Sequence, residues 1–95
     1  MGRPPKHIGD SLGSLIKDLG FEKKLKQVRA VELWPEIVGD NIAKISQADR
    51  VYEGTLYVKV KSSAWRTELL FQKRTILERI DAKLGKHVIK DIRFI

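Results

Sequence analysis

The sequence predicts an α+β fold in which helices pack on one face of a three-stranded mixed sheet. Apolar residues in the first half of the chain recur at spacings of three and four, which is typical of amphipathic helices. Residues 55–61 instead alternate between apolar and polar side chains, as half-buried strands do. A second helical segment at 64–84 and a β-prone segment at 88–95 follow. The predicted order is therefore α-α-α-β-β-α-β.

Residues 1–9 precede the first periodic segment, and we expect them to form a flexible basic arm because they contain two prolines and no apolar period. A single domain then spans residues 10–95. Its first predicted helix has a cap at Asp10 or Ser11 and ends at Gly20. The apolar residues of that helix, at i, i+3, i+4 and i+7, are Leu12, Leu15, Ile16 and Leu19.

Two further helices are predicted before the sheet. The second spans about 22–33, with Phe21 ahead of it as a hydrophobic staple. Pro35 ends that helix after Trp34 and suits the first position of a third helix, at 36–44. We expect Trp34 to pack in the core and Gly39 to mark a helix end or a close approach of the backbone. The apolar stripe of the second helix comprises Leu25, Val28 and Val31 or Glu32.

A two-residue turn at Glu53-Gly54 predicts a β-hairpin. This turn places Tyr52 opposite Thr55 and Arg50 opposite Tyr57. Ser62 or Ser63 then caps the longest helix, about 64–84, which ends at Gly85. Projection at 100° per residue predicts a core stripe on this helix made of Trp65, Leu69, Leu70, Ile76, Leu77, Ile80 and Leu84.

Composition narrows the possible functions. A chain of 95 residues with a net charge of +7 is one small basic domain, and nucleic acid is the first candidate partner. The last 33 residues hold eight basic and four acidic side chains, so +4 of the charge lies there. Cysteine is absent, and no apolar stretch approaches the ~20 residues that span a bilayer. These features predict a cytoplasmic protein.

The residues do not favour catalysis. The histidines are His7, in the predicted arm, and His87, just past a helix end, where a cationic ring is favourable. No phosphate-binding GxxxxGK[ST] or dinucleotide-binding GxGxxG pattern occurs. We therefore expect no enzyme activity, no cofactor and no metal site.

Basic and aromatic side chains share one predicted face of the sheet, as in single-strand binding platforms where rings stack on bases and cations hold phosphates. These residues are Arg50, Tyr52, Tyr57, Lys59, Lys61 and Arg93. The alternative is an ordinary solvated face. Arg66 and Lys73 project close to the core stripe of the long helix. They are either phosphate ligands or long side chains whose stems cover apolar surface at the margin of the sheet.

Three blocks of the sequence together resemble the bacterial DciA family. They are Leu33-Trp34-Pro35-Glu36-Ile37-Val38-Gly39, then Leu56-Tyr57-Val58-Lys59-Val60 with Ser62-Ser63-Ala64-Trp65-Arg66-Thr67-Glu68-Leu69, then Ile89-Lys90-Asp91-Ile92-Arg93-Phe94. The resemblance implies a fold similar to the K homology (KH) domain. It also implies binding to single-stranded or structured DNA and a role in loading the replicative helicase DnaB. Such a role needs no nucleotide chemistry in this chain.

Two features depart from the pattern that the resemblance implies. The Gly-x-x-Gly loop with which KH domains clamp nucleic acid is absent, so other cations must bind the backbone. Many members look like a globular domain joined to a flexible tail, whereas this sequence stops at Ile95. We therefore expect helicase contact through the domain or the arm. An RNA-binding module and a protein adaptor without nucleic-acid binding are the alternative functions.

Overall fold

A computed structural model describes residues 20–95, which form four helices and three strands. The element order in this range matches the prediction, except that one predicted helix is divided in two. The predicted arm at 1–9 and the first predicted helix lie outside the described residues. The elements are α1 Phe21–Glu32, α2 Trp34–Val38, α3 Asp40–Ile45, β1 Ser46–Tyr52, β2 Thr55–Val60, α4 Ser63–Leu84 and β3 Asp91–Phe94.

The sheet is mixed, as predicted, with strand order β1-β2-β3. β1 and β2 are antiparallel, whereas β2 and β3 are parallel because α4 carries the chain back across the sheet. Glu53 and Gly54 both have positive φ angles, 49° and 81°, which a two-residue hairpin turn of type I′ requires. A β-bulge interrupts the register between Ala48 and Arg50, and Asp49 is the extra residue.

The predicted helix at 36–44 is divided into α2 and α3. Gly39 separates them with φ 88° and ψ 168°, a conformation that residues with a Cβ atom rarely adopt. Its backbone N–H donates to the carbonyl of Pro35, which ends α2. The expectation that Gly39 marks a helix end is therefore confirmed. The break lets the chain change direction before β1.

The core lies between the inner face of the sheet and the helices. Leu56, Val58 and Ile92 point inward from neighbouring strands, and each is at most 1% exposed. The α4 residues that cover them include Leu69 and Ile80, both fully buried. The predicted core role of Trp34 is confirmed. Other fully buried members of this cluster are Trp34, Ile76 and Ala30.

Part of the predicted core is instead exposed. Leu70 is 54% exposed and Trp65 is 37% exposed, so the predicted stripe of α4 is too wide. Leu70 lies about 100° around the helix from Leu69, which points at the sheet, and this rotation turns it outward. On α1, the small side chain of Ala30 faces the core, while Leu25 and Val28 are more than half exposed.

The last strand is shorter than the predicted segment at 88–95. Its pairing with β2 begins at Asp91, opposite Thr55. Val88 and Ile89 are buried but lie in the loop before the strand, which turns at His87 with φ 68°. Both side chains are packed in the core although neither residue pairs with a strand. This is why a hydrophobic pattern alone overestimated the length of β3.

Candidate nucleic-acid interface

The outer face of the sheet brings several predicted site residues together. Arg50 on β1 lies opposite Tyr57 on β2, and Tyr57 lies beside Arg93 on β3, so the three form one row across the sheet. Lys59 lies on the same face two residues further along β2. The predicted pairings of Arg50 with Tyr57 and of Tyr52 with Thr55 are both confirmed.

The two predicted tyrosines differ in how accessible their rings are. The guanidinium carbon of Arg50 lies 4.4 Å from the centroid of the Tyr57 ring, which is a cation–π contact. Tyr57 is also half-buried, so one face of its ring is already occupied. Tyr52 is 61% exposed and is therefore the aromatic side chain better placed to stack on a nucleobase.

Asp49 reduces the positive charge of the outer face. As the extra residue of the bulge, it is exposed and contacts two predicted site residues. One Oδ atom accepts a hydrogen bond from Arg50, and the other lies 3.9 Å from the Nζ atom of Lys59. By contrast, neither Lys61 nor Arg93 pairs with a carboxylate of residues 20–95.

Arg66 and Lys73 make contacts within the domain. The Nζ atom of Lys73 donates to Oδ1 of Asp91 at 2.9 Å. An Nη atom of Arg66 donates to the carbonyl oxygen of Val60 at 3.3 Å. The side chain of Lys73 is 31% exposed. Both side chains thus reach from α4 to the margin of the sheet, and this geometry favours the structural alternative stated for them.

The contact between Lys73 and Asp91 changes the pKa of the Asp91 carboxyl. The hydrogen bond from the Lys73 ammonium is the largest cause, and it lowers the pKa of the Asp91 carboxyl. Partial burial opposes this shift, and the backbone N–H of Ile92 adds to it. Asp91 is therefore ionised at neutral pH and neutralises part of the charge that Lys73 would offer to a phosphate.

Two clefts beside β1 contain cations that the sequence pattern did not identify. The larger, about 970 Å³, lies between α1 and the β1–β2 hairpin. Lys23, Lys24 and Lys90 line it together with Arg50 and Tyr52. The smaller, about 600 Å³, is lined by Lys44, Lys59 and Lys61 among others. The adjacent lysines at 23 and 24 are visible in the sequence, but only the packing of α1 beside β1 brings them to this strand.

Metal ligands and membrane-spanning helices are the other features of interest in residues 20–95. Within residues 20–95, no cluster of three or more His, Cys, Asp or Glu side chains could hold a metal ion. No helix in that part of the chain is long and apolar enough to cross a membrane. His87 lies exposed in the turn after α4. Basic clefts and a partly neutralised basic sheet face are therefore the main polar features.

Comparison with known proteins places the chain in a family. The family described as "Dna[CI] antecedent, DciA" matches residues 7–94. Similar proteins include the UPF0232 proteins of Streptomyces coelicolor, 32% identical over 94 residues, and of Rhodococcus jostii, 30% identical over 91. These alignments cover 97% and 96% of the chain but 50% and 48% of the relatives, so the chain spans about half their length. Because the match includes nearly every described residue, the chain belongs to the DciA family.

Proposed function

We propose that this chain is a non-enzymatic DNA-binding accessory protein that assists loading of the replicative helicase DnaB at the start of DNA replication. The observation that carries the proposal is the family match over residues 7–94. In this role, in the cytoplasm at the nucleoid, the chain would contact both the helicase and DNA. The described surface offers separate candidates for these two contacts.

The distribution of charge supports the DNA contact. The chain carries a net charge of +7, and basic side chains line both clefts beside β1. Phosphate binding by such side chains releases counterions, so the affinity for single strands should fall as salt rises. Fluorescence anisotropy with labelled oligonucleotides between 50 and 300 mM salt, a range of about sixfold, tests this expectation. Absence of binding at low salt, or salt-independent binding, would contradict DNA binding.

The choice between DNA and RNA needs a competition experiment, because either strand could occupy a basic surface. Unlabelled DNA and RNA of identical sequence are added to a preformed complex with labelled DNA. We expect DNA to compete at least as well as RNA. Stronger competition by RNA would favour the RNA-binding alternative and contradict the proposed substrate.

An exposed apolar pair on α4 supports a protein contact. Phe71 is 82% exposed and Leu70 is 54% exposed, and both face away from the sheet. Aromatic side chains such as that of Phe71 are enriched at protein interfaces. We propose that they contact the helicase. The same pair also supports the second candidate function, a protein adaptor that does not bind DNA.

Capture of purified DnaB by the immobilised chain tests the helicase contact. Phe71→Ala should weaken capture at least about 30-fold, since truncation of an interface anchor costs about 2 kcal/mol or more. Phe21→Ala is the matched control, because Phe21 is also exposed, at 51%, but lies on α1. Equal capture by the Phe71→Ala variant and the wild type would exclude this surface. Normal capture combined with no DNA binding would identify the chain as an adaptor.

A further inference from the structure

The two clefts beside β1 adjoin each other. Both are lined by Val31 and Glu32 at the end of α1. The smaller cleft is lined by Ser46–Ala48 and the larger by Asp49–Tyr52, so together they follow every residue of β1. Within residues 20–95, no strand pairs with this edge of β1. We name the combined feature, lined by the residues of both clefts, the β1 groove.

We propose that the β1 groove, rather than the open face of the sheet, is the path of single-stranded DNA. This inference rests on the proposed DNA-binding function and assigns it a location. Of the eight side chains predicted as the DNA site, four line the groove: Arg50, Tyr52, Lys59 and Lys61. The other four do not: Tyr57, Arg66, Lys73 and Arg93.

The balance of charge favours the groove over the open face. Three carboxylates line it, those of Glu32, Asp49 and Glu53, and Asp49 is already paired with Arg50 and Lys59. The open face and its margin hold two carboxylates, Asp49 and Asp91, both of them paired, and four cations: Arg50, Lys59, Lys73 and Arg93. Seven cations line the groove: Lys23, Lys24, Lys44, Arg50, Lys59, Lys61 and Lys90. The net charge is thus +4 in the groove and +2 on the open face, with Arg50, Lys59 and Asp49 counted in both.

The groove also offers surfaces for bases. The exposed ring of Tyr52 stands at its hairpin end, and the apolar side chains of Val28 and Val31 line the same cleft. Single-strand binding proteins combine cations that track the backbone with rings that stack on bases. A duplex has its bases already stacked and paired, so its bases cannot reach this ring without opening. The combination therefore fits a single strand.

Hydrogen bonds hold the walls of the groove in place. The side-chain amide of Gln27 on α1 donates to the carbonyl of Val88, which ties α1 to the loop before β3. The N–H of Lys90 in that loop donates to the carbonyl of Gly54 in the hairpin turn at 2.8 Å. The stem of Lys90 packs on Gly54, where an added Cβ would lie 3.2 Å from the Lys90 Cδ atom. The cleft is thus formed before any ligand binds, which reduces the entropy lost on binding.

The length of the groove predicts the size of the site. The seven residues of β1 extend about 23 Å at ~3.3 Å per residue. One strand of a B-form duplex rises about 3.4 Å per nucleotide, so at this closest spacing the groove accommodates at most about seven nucleotides. Affinity for oligothymidylate should therefore rise steeply with length up to about seven nucleotides and then level off. A continued steep rise well beyond ten nucleotides would contradict one groove per chain as the whole site.

Paired variants separate the groove from the open face. Lys44→Ala changes the groove alone, and Arg93→Ala changes the open face alone; each removes one positive charge. Within α1, Lys24 lines the groove whereas Arg29 does not. Binding of labelled oligothymidylate of 12 nucleotides is measured by anisotropy at several salt concentrations, after circular dichroism has verified folding.

We expect Lys44→Ala and Lys24→Ala each to weaken binding about fivefold at low salt and to reduce the salt slope by about 0.7, the value for one lost phosphate contact on a single strand. Arg93→Ala and Arg29→Ala should change the slope much less. Tyr52→Ala should weaken binding at least about fivefold without changing the slope, because it removes stacking and no charge.

Two failures are distinguishable. If the wild-type chain binds no oligonucleotide at any salt concentration, the proposed function itself fails. If the wild type binds and Arg93→Ala reduces the slope while Lys44→Ala and Lys24→Ala do not, DNA lies on the open face. In that case the assignment to the β1 groove is overturned although the proposed function stands.

Discussion

At the scale of single residues, Ser46 connects two buried groups. The indole N–H of Trp34 donates to its Oγ atom at 3.0 Å, and that hydroxyl donates to the carbonyl of Ile42 at 2.7 Å. Ser46 is 8% exposed and Trp34 is 1% exposed. An unsatisfied N–H at this depth would pay its full desolvation cost. The small hydroxyl thus allows the largest side chain of the core to be buried between α2 and β1.

Ser46→Ala should lower the free energy of unfolding by about 1–3 kcal/mol, because it leaves the Trp34 N–H without its acceptor. Urea denaturation followed by tryptophan fluorescence measures the change. Ser63→Ala, at an exposed position, serves as the control and should change stability by less than about 0.5 kcal/mol. A loss no larger than that of the control would show that the indole finds another partner.

The contact between Asp91 and Lys73 predicts that the stability of the folded state depends on pH. Because the Lys73 ammonium lowers the pKa of Asp91, the folded state favours the ionised carboxyl more than the unfolded state does. The resulting stability is present above the unfolded pKa of about 3.9 and is lost as pH falls through the lower pKa of the folded state.

Asp91→Asn should therefore reduce stability at pH 7 by up to about 1 kcal/mol, as expected for a solvent-accessible pair. The difference from the wild type should shrink as the pH is lowered below the ordinary range of a carboxyl. Urea denaturation at several pH values measures both effects. A difference that is the same at pH 7 and at the acid limit would show that the charge of Asp91 does not contribute.

At the scale of elements, α4 has two different apolar surfaces. Leu69, Ile76 and Ile80 are buried against the sheet, whereas Phe71 projects outward. Phe71 lies along the helix between Leu69 and Ile76, but about 200° around the axis from Leu69. Its exposure therefore follows from the side of α4 on which it lies.

Substitutions on the two surfaces of α4 should differ in how much they lower the free energy of unfolding. Ile76→Ala should cost about 2–5 kcal/mol of stability because it leaves a cavity in a packed core. Phe71→Ala should cost less than about 0.5 kcal/mol, because its side chain is already in water. Thermal or urea unfolding measures both values. A large loss for Phe71→Ala would mean that this side chain is covered in solution.

The elements also show which sequence patterns are reliable. The hairpin was predictable because a two-residue turn determines the strand pairing. The cap at Ser62 was predictable because a serine before an apolar run accepts the N–H of a residue three positions later, here Trp65. The β1 bulge at Asp49 left no sequence signal. The break at Gly39 was expected as a helix end but not as a division between two helices.

At the scale of the whole molecule, the charge is distributed unevenly. Clustered charge of one sign acts mainly through local contacts, because a Debye length of about 8 Å at physiological salt screens more distant charges. Net charge by itself therefore does not determine affinity. The position of the lysines relative to the β1 groove should matter more than their number.

Equal changes of charge inside and outside the β1 groove should have different effects on the affinity for single strands. Replacing Arg29, Arg74 and Arg79 by Gln lowers the net charge from +7 to +4 outside the groove. Replacing Lys24, Lys44 and Lys61 by Gln makes the same change inside it. At 150 mM salt, about the physiological ionic strength, the second variant should lose most single-strand affinity and the first should retain most of it. Equal losses would indicate a non-specific field effect.

The sequence by itself determined the fold class, the hairpin with its facing pairs, the long capped helix and the basic character of the protein. These depend on residues close together in the chain, where periodicity, caps and turns act directly. Tertiary structure alone decided which apolar residues of α1 and α4 stay exposed, that Asp91 engages Lys73, and that Lys24, Lys44 and Lys90 follow one edge of β1. Those juxtapositions join distant segments, and they depend on how closely each helix packs, which no local pattern specifies.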